Sequence, residues 1–141
     1  PAADQVLNGF LNGSIDAVLR VGSADQERFV VVDYKTNVMP VGPGEVLDVH
    51  HYDAASMTTA MVRAHYPLQA LLYQVALHRF LCWRLPHYDP SRHLAGAGYL
   101  FVRGMAGPDT PELGGMPAGV FIWQPSHRFI VAAHEVLGGP A

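Results

Sequence analysis

Two acidic residues and a lysine are the groups in this chain best placed to do chemistry. Asp33 and Lys35 stand two apart in Phe29-Val30-Val31-Val32-Asp33-Tyr34-Lys35, and a strand's two-residue period puts both on one face, with Val30, Val32 and Tyr34 on the other. Asp16 lies upstream, in a second run of apolar and β-branched residues that ends at Val21. If Val21 pairs with Arg28 across the turn Gly22-Ser23-Ala24-Asp25, the antiparallel register brings Asp16 opposite Asp33, with Cβ atoms roughly 4.5–5.5 Å apart. A slip of one residue would break this alignment. Facing carboxylates repel, and three things offset the repulsion: a shared proton, a cationic side chain or a divalent metal. Carboxylate oxygens suit Mg²⁺, Mn²⁺ or Ca²⁺. Lys35 on the same face could orient or deprotonate a water, or stabilise negative charge on a phosphoryl group. Carboxylate, carboxylate and lysine around a divalent ion would make a phosphodiester-cleaving site. The competing reading is a solvated strand end and an unrelated carboxylate near a turn.

The elements that must hold these groups are readable in outline. Phe10 to Val21 and Arg28 to Lys35 are predicted strands joined by a turn. Val38 to Val49 carries Pro40, Gly42, Pro43 and Gly44 and is predicted to be a loop. Asp53 to His65 is expected to be a short helix with Asp53 as its N-cap. Tyr66 to Leu85 is the longest periodic segment, a helix with Pro67 in its first turn, an apolar face of Leu68, Leu71, Leu72 and Val75, and an end at Pro86. Gly98 to Arg103 and Gly119 to Trp123 are expected strands, and Phe129 to Leu137 a final helix. Gly104 to Gly119, with five Gly and three Pro, is expected to be a long, mobile loop. Strands near both ends with helices between them indicate an α/β or α+β sheet domain.

Composition narrows the class. The chain has 141 residues, which fits one domain, and half of them are apolar, enough for a core and too many for a disordered tail. The formal net charge of −3 argues against binding nucleic acid by bulk charge, leaving only a local site, a bound cation or a partner for that purpose. No apolar run approaches the roughly 18–20 residues of a membrane span, and no leader pattern marks secretion. One cysteine, Cys82, excludes an internal disulfide framework and a cysteine-based zinc cluster, and fits a cytoplasmic setting. Of the nine basic residues eight are Arg, and Lys35 is the single lysine. The chain opens at Pro1-Ala2-Ala3 without an initiator Met, which is expected of a piece of a longer protein.

The wider pattern is more specific. Gly13-Ser14-Ile15-Asp16, then Val32-Asp33-Tyr34-Lys35-Thr36-Asn37, then Gln69-x-x-x-Tyr73 resembles the motif set of the PD-(D/E)XK nuclease superfamily, in its RecB-type branch. His65-Tyr66-Pro67-Leu68-Gln69, Leu72-Tyr73, Ala76-Leu77-His78-Arg79-Phe80-Leu81, His87-Tyr88-Asp89 and Gly98-Tyr99-Leu100-Phe101-Val102-Arg103-Gly104-Met105 are similar to the carboxy-terminal nuclease domain of that branch, the family of exodeoxyribonuclease V beta subunits. The likeness runs from about Gly9 to Trp123. It implies a small mixed β-sheet flanked by helices, a restriction-endonuclease-like core, within a helicase–nuclease subunit. It further implies a Mg²⁺-dependent DNase acting on single strands from an unwound duplex, in double-strand break repair and recombination. The helicase part of the same chain and RecC-like and RecD-like subunits would be its partners. By the same resemblance Asp16, Asp33 and the backbone carbonyl of Tyr34 are metal ligands, Lys35 is the catalytic lysine, and Gln69 and Tyr73 sit beside the active site. Four residues apart on a helix, Gln69 and Tyr73 share a face independently of the resemblance. The family's metal site also draws on a histidine from a helix ahead of the first strand. Here the first histidine, His50, follows the Asp-x-Lys strand, so the matching residue and its helix are expected upstream of this chain.

Other candidates are weaker. His50-His51 is expected to be a loop pair, and His65, His78, His87 and His93 structural or surface residues. Cys82, between Leu81 and Trp83, is expected to be a buried small hydrophobe. Arg79, Arg84, Arg92 and Arg103 are candidates for local phosphate contacts or for solvated faces. Two other functions fit the same residues less fully: another DNase of the superfamily, such as a stand-alone exonuclease, and a non-catalytic module of this fold that docks a partner subunit.

Overall fold

The computed structural model describes residues 12–23 and 25–138. The strands β1 (Ala17–Val21) and β2 (Arg28–Lys35) form an antiparallel hairpin in which Ala17 pairs with Val32 and Val21 with Arg28, the register expected from the sequence. Alternation then gives β2 two faces. Val31, Asp33 and Lys35 turn inward and are buried, whereas Tyr34 on the other face is exposed.

From β2 the chain passes through a loop and a 3-10 turn at Val49–His51 into α1 (Ala54–Arg63) and α2 (Tyr66–Arg84). The Asp53 side chain caps α1 by accepting from Ser56 N at 2.7 Å, as the sequence indicated. After a short turn of helix, α3 (Pro90–His93), the strand β3 (Leu94–Phe101) lies parallel to β2, with Asp33 beside Tyr99 and Lys35 beside Phe101. A parallel neighbour requires a crossover, and α2 supplies it. Beyond β3 come the two-residue strands β4 (Glu112–Leu113) and β5 (Met116–Pro117), then β6 (Val120–Trp123), antiparallel to β3, and α4 (His127–Gly138). The main sheet has the order β1-β2-β3-β6 and is mixed, with helices packed on it, which is compatible with a PD-(D/E)XK-like core.

The core lies between the sheet and the helices. Val31, Ala97, Tyr99 and Phe101 meet Met57 and Met61 of α1, Ala70, Leu77 and Leu81 of α2, and Ile130 of α4. Gln74 is fully buried in this layer, and its Nε2 donates to the Gly96 carbonyl at 2.8 Å, tying α2 to β3.

Several expectations need correction. The first strand begins at Ala17; residues 12–16 are not strand, and Phe10 and Leu11 lie outside the described residues. The third strand starts at Leu94 rather than Gly98 and ends at Phe101, where a 3-10 turn takes over, and the final helix starts at His127. The buried face of α2 is Ala70, Gln74, Val75, Leu77, His78 and Leu81, while Leu68 is 60% exposed. Apolar residues surround this helix nearly evenly, so their spacing does not select a phase, and two of the buried positions are polar. Gly104 to Gly119 is ordered by the β4–β5 hairpin, whose turn is Gly114-Gly115, both at positive φ. It is anchored at its ends: Phe101 N donates to Gly119 O at 2.8 Å, Gly119 N donates to Tyr52 O at 3.0 Å, and a Cβ on Gly104 would stand 2.5 Å from the Tyr52 side chain. Cys82 is exposed, because α2 turns that side outward.

Candidate active site

The end of the β1–β2 hairpin gathers the residues singled out above. Lys35 Nζ lies 2.6 Å from Asp33 Oδ2, and both side chains are buried. Removing either partner of such a pair leaves an unbalanced buried charge, a cost of about 3–5 kcal/mol. Apart from this charged contact, Asp33 Oδ2 has no partner. Lys35 Nζ also donates to Gln69 Oε1 at 3.0 Å, and Gln69 Nε2 donates to the Tyr73 hydroxyl at 2.9 Å. One face of α2 thus delivers Gln69 and Tyr73 to the lysine in relay.

Asp16 arrives by a different route. The β1 ladder ends at Ala17, and the Asp16 carboxylate takes over from it: Oδ2 accepts from Tyr34 N at 2.9 Å. That peptide group lies between Asp33 and Lys35 in the chain, so Asp16 is bonded to the backbone of β2 rather than paired with Asp33 in the ladder as the sequence predicts. Asp16 is exposed and Asp33 is buried.

The residues that follow Lys35 are held in place from three sides. Arg103 Nε donates to Thr36 O at 3.0 Å, the Tyr52 hydroxyl donates to Asn37 O at 3.0 Å, and the Tyr66 hydroxyl lies 3.4 Å from Asn37 Oδ1. Beside them opens a cleft of about 390 Å³, lined in part by Asn37, Ser56, Thr59 and Arg63. A second cleft, of about 510 Å³, lies at the far end of α2 around Cys82 and Tyr88, and none of the candidate catalytic groups lines it.

Aromatic rings close the site from within. Lys35 Nζ is 3.8 Å from the centroid of Tyr66 and 5.2 Å from that of Tyr99. Burial, reinforced by the nearby negative charge of Asp33, pushes the Tyr99 phenol well above its ordinary range, so it stays protonated. Tyr66 was not among the residues expected at the site. The available signal was its spacing, since Tyr66, Gln69 and Tyr73 follow at i, i+3 and i+7 on one helical face.

Asp33 Oδ2, whose one partner is the Lys35 ammonium, and the Asp16 carboxylate, anchored on the adjoining peptide, are oxygen donors of the chemical kind that hard divalent cations take. Among the described residues, no three or more His, Cys, Asp or Glu side chains cluster around a point.

The remaining candidates lie elsewhere or serve the fold. His51 is engaged by Asp48 at 2.9 Å in a capping box, His93 is buried beside Asp89, and His65 and His87 sit at positive φ in turns. Partial desolvation of His51 is outweighed by Asp48 and Glu45, so its pKa is raised. Arg79 Nε donates to His134 Nδ1, Arg92 donates to the Asp25 carbonyl, and Arg84 lies over the Trp83 ring. Of these four arginines only Arg103 adjoins the Lys35 segment.

No protein-family model matches the chain. Individual proteins do. RecBCD enzyme subunit RecB of Mycolicibacterium smegmatis is 53% identical over 97% of this chain and 12% of that protein. The subunit of the same name from Mycobacterium tuberculosis H37Rv is 50% identical over 95% of the chain and 11% of its own length, and that of Escherichia coli K12 34% identical over 94% and 10%. The chain therefore spans about a tenth of the length of these curated relatives. Identity at this level, sustained over nearly all of its residues in three organisms, makes this chain a member of the RecB family.

Proposed function

We propose that residues 1–141 form one nuclease domain within a longer RecB-type helicase–nuclease subunit, hydrolysing the phosphodiester bonds of DNA in a Mg²⁺-dependent reaction. The observation that carries this reading is the buried Asp33–Lys35 pair on β2, with Asp16 bonded to the peptide between them and Gln69 bonded to the lysine. Such an arrangement is costly for folding and useful for chemistry.

Asp16, Asp33 and the Tyr34 carbonyl would hold the metal, with Mn²⁺ or Ca²⁺ able to take the same oxygen ligands. When bound, Mg²⁺ supplies Lewis-acid stabilisation of the phosphate and of the departing oxygen. Lys35 orients the attacking water and stabilises the charge that builds on the phosphoryl oxygens. Gln69 fixes the ammonium, and Tyr73 fixes Gln69. Arg103, and Arg63 in the adjoining cleft, are cations available to neighbouring phosphates, which supports local binding by a chain of net negative charge. We identify no groove-reading helix among the described residues, so selection among substrates would follow from how a strand is delivered, not from base identity. The substrate would be single strands from an unwound duplex, delivered by the helicase part of the same chain in concert with RecC-like and RecD-like subunits, in the cytoplasm, during double-strand break repair and recombination. No helix among the described residues is long and apolar enough to cross a membrane.

The test is Mg²⁺-dependent cleavage of single-stranded DNA by the full-length subunit, with and without Asp33→Ala. The variant is expected to lose activity by on the order of a hundredfold or more. Unchanged cleavage would sink the catalytic reading. Absence of cleavage by the unmutated subunit, alone and with its partners, would favour a docking module of the same fold.

A further inference from the structure

A lysine ammonium on a four-carbon stem has many orientations available, and a site that depends on it has to restrict them. Asp33 and Gln69 occupy two directions around Lys35 Nζ, at 2.6 Å and 3.0 Å. The face of Tyr66 occupies a third, 3.8 Å from the ring centroid. This ring is itself unusually constrained. It stacks on Tyr99 with centroids 6.1 Å apart and planes 16° from parallel. The Tyr99 hydroxyl donates to the Tyr66 carbonyl at 3.3 Å, and the Tyr66 hydroxyl reaches Asn37 Oδ1 at 3.4 Å. Tyr99 is fully buried in the core. The ring is thus backed by β3 and fastened at its backbone, and the long contact at its tip adds little.

The three partners of the ammonium differ in one respect. Asp33 is also a metal ligand under the proposed function, so a bound cation competes with Lys35 for its charge. Gln69 is neutral and supplies one directional contact. An aromatic face attracts a cation through its quadrupole, binds no metal of this kind and takes no proton. We infer that Tyr66 is a positioning residue for Lys35: its ring face keeps the ammonium aimed into the site when the charge of Asp33 is engaged elsewhere. The inference rests on the nuclease reading for its consequence in turnover, while the positioning itself is measurable without cleavage.

The test compares Tyr66→Phe, which keeps the ring, with Tyr66→Leu, which fills much of the space without it, in the full-length subunit. Thermal melting verifies folding, and Tyr66→Met replaces the leucine variant if that one fails. Two quantities are read. The first is the rate of reductive methylation of Lys35, followed by mass spectrometry of its peptide. The second is Mg²⁺-dependent cleavage of single-stranded DNA, resolved into kcat and KM. Tyr66→Phe is expected to match the parent within about twofold in both. The aliphatic variant is expected to methylate several-fold faster and to lose about tenfold in kcat with KM unchanged. Parent-like methylation and kcat in the aliphatic variant would overturn the inference, as would loss of turnover in Tyr66→Phe. Faster methylation in the aliphatic variant, with no cleavage by any form including the parent, would sustain the positioning role and sink the nuclease reading.

Discussion

A lysine that is only 9% exposed needs nearby groups to stabilise its charge, and the surroundings of Lys35 show how that is done. A carboxylate, an amide oxygen and an aromatic face replace the water that solvated it. Gln69 is the neutral polar member of this set. Gln69→Leu deletes a hydrogen bond to a charged donor, an interaction of about 1.5–3 kcal/mol, and is expected to lower kcat by roughly ten- to a hundredfold. Tyr73→Phe removes only the group that accepts from Gln69, so a change of about threefold is expected. Single-turnover cleavage assays on the full-length subunit separate the two. At this scale much was legible beforehand. The two-residue period aligned Asp33 with Lys35, whereas the expected pairing of Asp16 opposite Asp33 is replaced by a bond from the Tyr34 amide to the Asp16 carboxylate, beyond the end of the ladder. Tyr66 was missed although it shares a helical face with Gln69 and Tyr73; that spacing groups the three residues but does not say that α2 lays the ring against Lys35.

The elements themselves were recognisable where side chains or turn residues impose them. Asp53 capped α1 as read, and Pro67 marked the first turn of α2. The phase of α2 was not recoverable, since apolar residues line both its buried and its exposed sides. The structure makes that difference measurable. Leu81 is 2% exposed and Leu68 is 60% exposed. Leu81→Ala is expected to cost about 2–5 kcal/mol, whereas Leu68→Ala should change stability by no more than about 0.5 kcal/mol. Denaturant titration followed by limited proteolysis at α2 would measure both, and the reverse order would contradict the helix phase described here. The five Gly and three Pro of the stretch before β6 point to a long, mobile loop. Its order comes instead from a two-residue turn and from close packing of Gly104 on Tyr52, contacts that no nearest-neighbour pattern announces.

Across the whole molecule, α2 is the shared wall between the site and the opposite end of the core. There His78 is buried, with the Tyr88 hydroxyl 2.9 Å from Nδ1 and the ring of His134 packed edge-on at 5.1 Å. Burial, followed by the positive charges of His134 and Arg79, holds the His78 imidazole below its ordinary value of 6.5. The unfolded chain therefore takes up this proton at a higher pH than the folded one. The stability contributed by neutral His78 is full above about 6.5 and declines as pH falls through the folded value. Hydrogen exchange of α2 and α4 amides in the full-length subunit, corrected for intrinsic rates, is expected to be faster at pH 5 than at pH 7.5. His78→Gln should flatten that dependence, and an unchanged slope in the variant would assign the effect to another group. The overall fold class was legible because strands and helices announce their order. The parallel partnership of β2 and β3 was not, since it joins segments far apart in the chain.

That partnership also sets a sequence of events in making the molecule. Asp33 and Lys35 emerge from a ribosome before Gln69, which lies 34 positions beyond the lysine, and before the β3 strand that backs Tyr66. Until the crossover has returned, the acid and the amine are loose groups on a hairpin with nothing to aim them. Under the proposed nuclease function, a half-made chain would therefore lack an aimed lysine, and the site would be complete only when the last of its pieces has been synthesised.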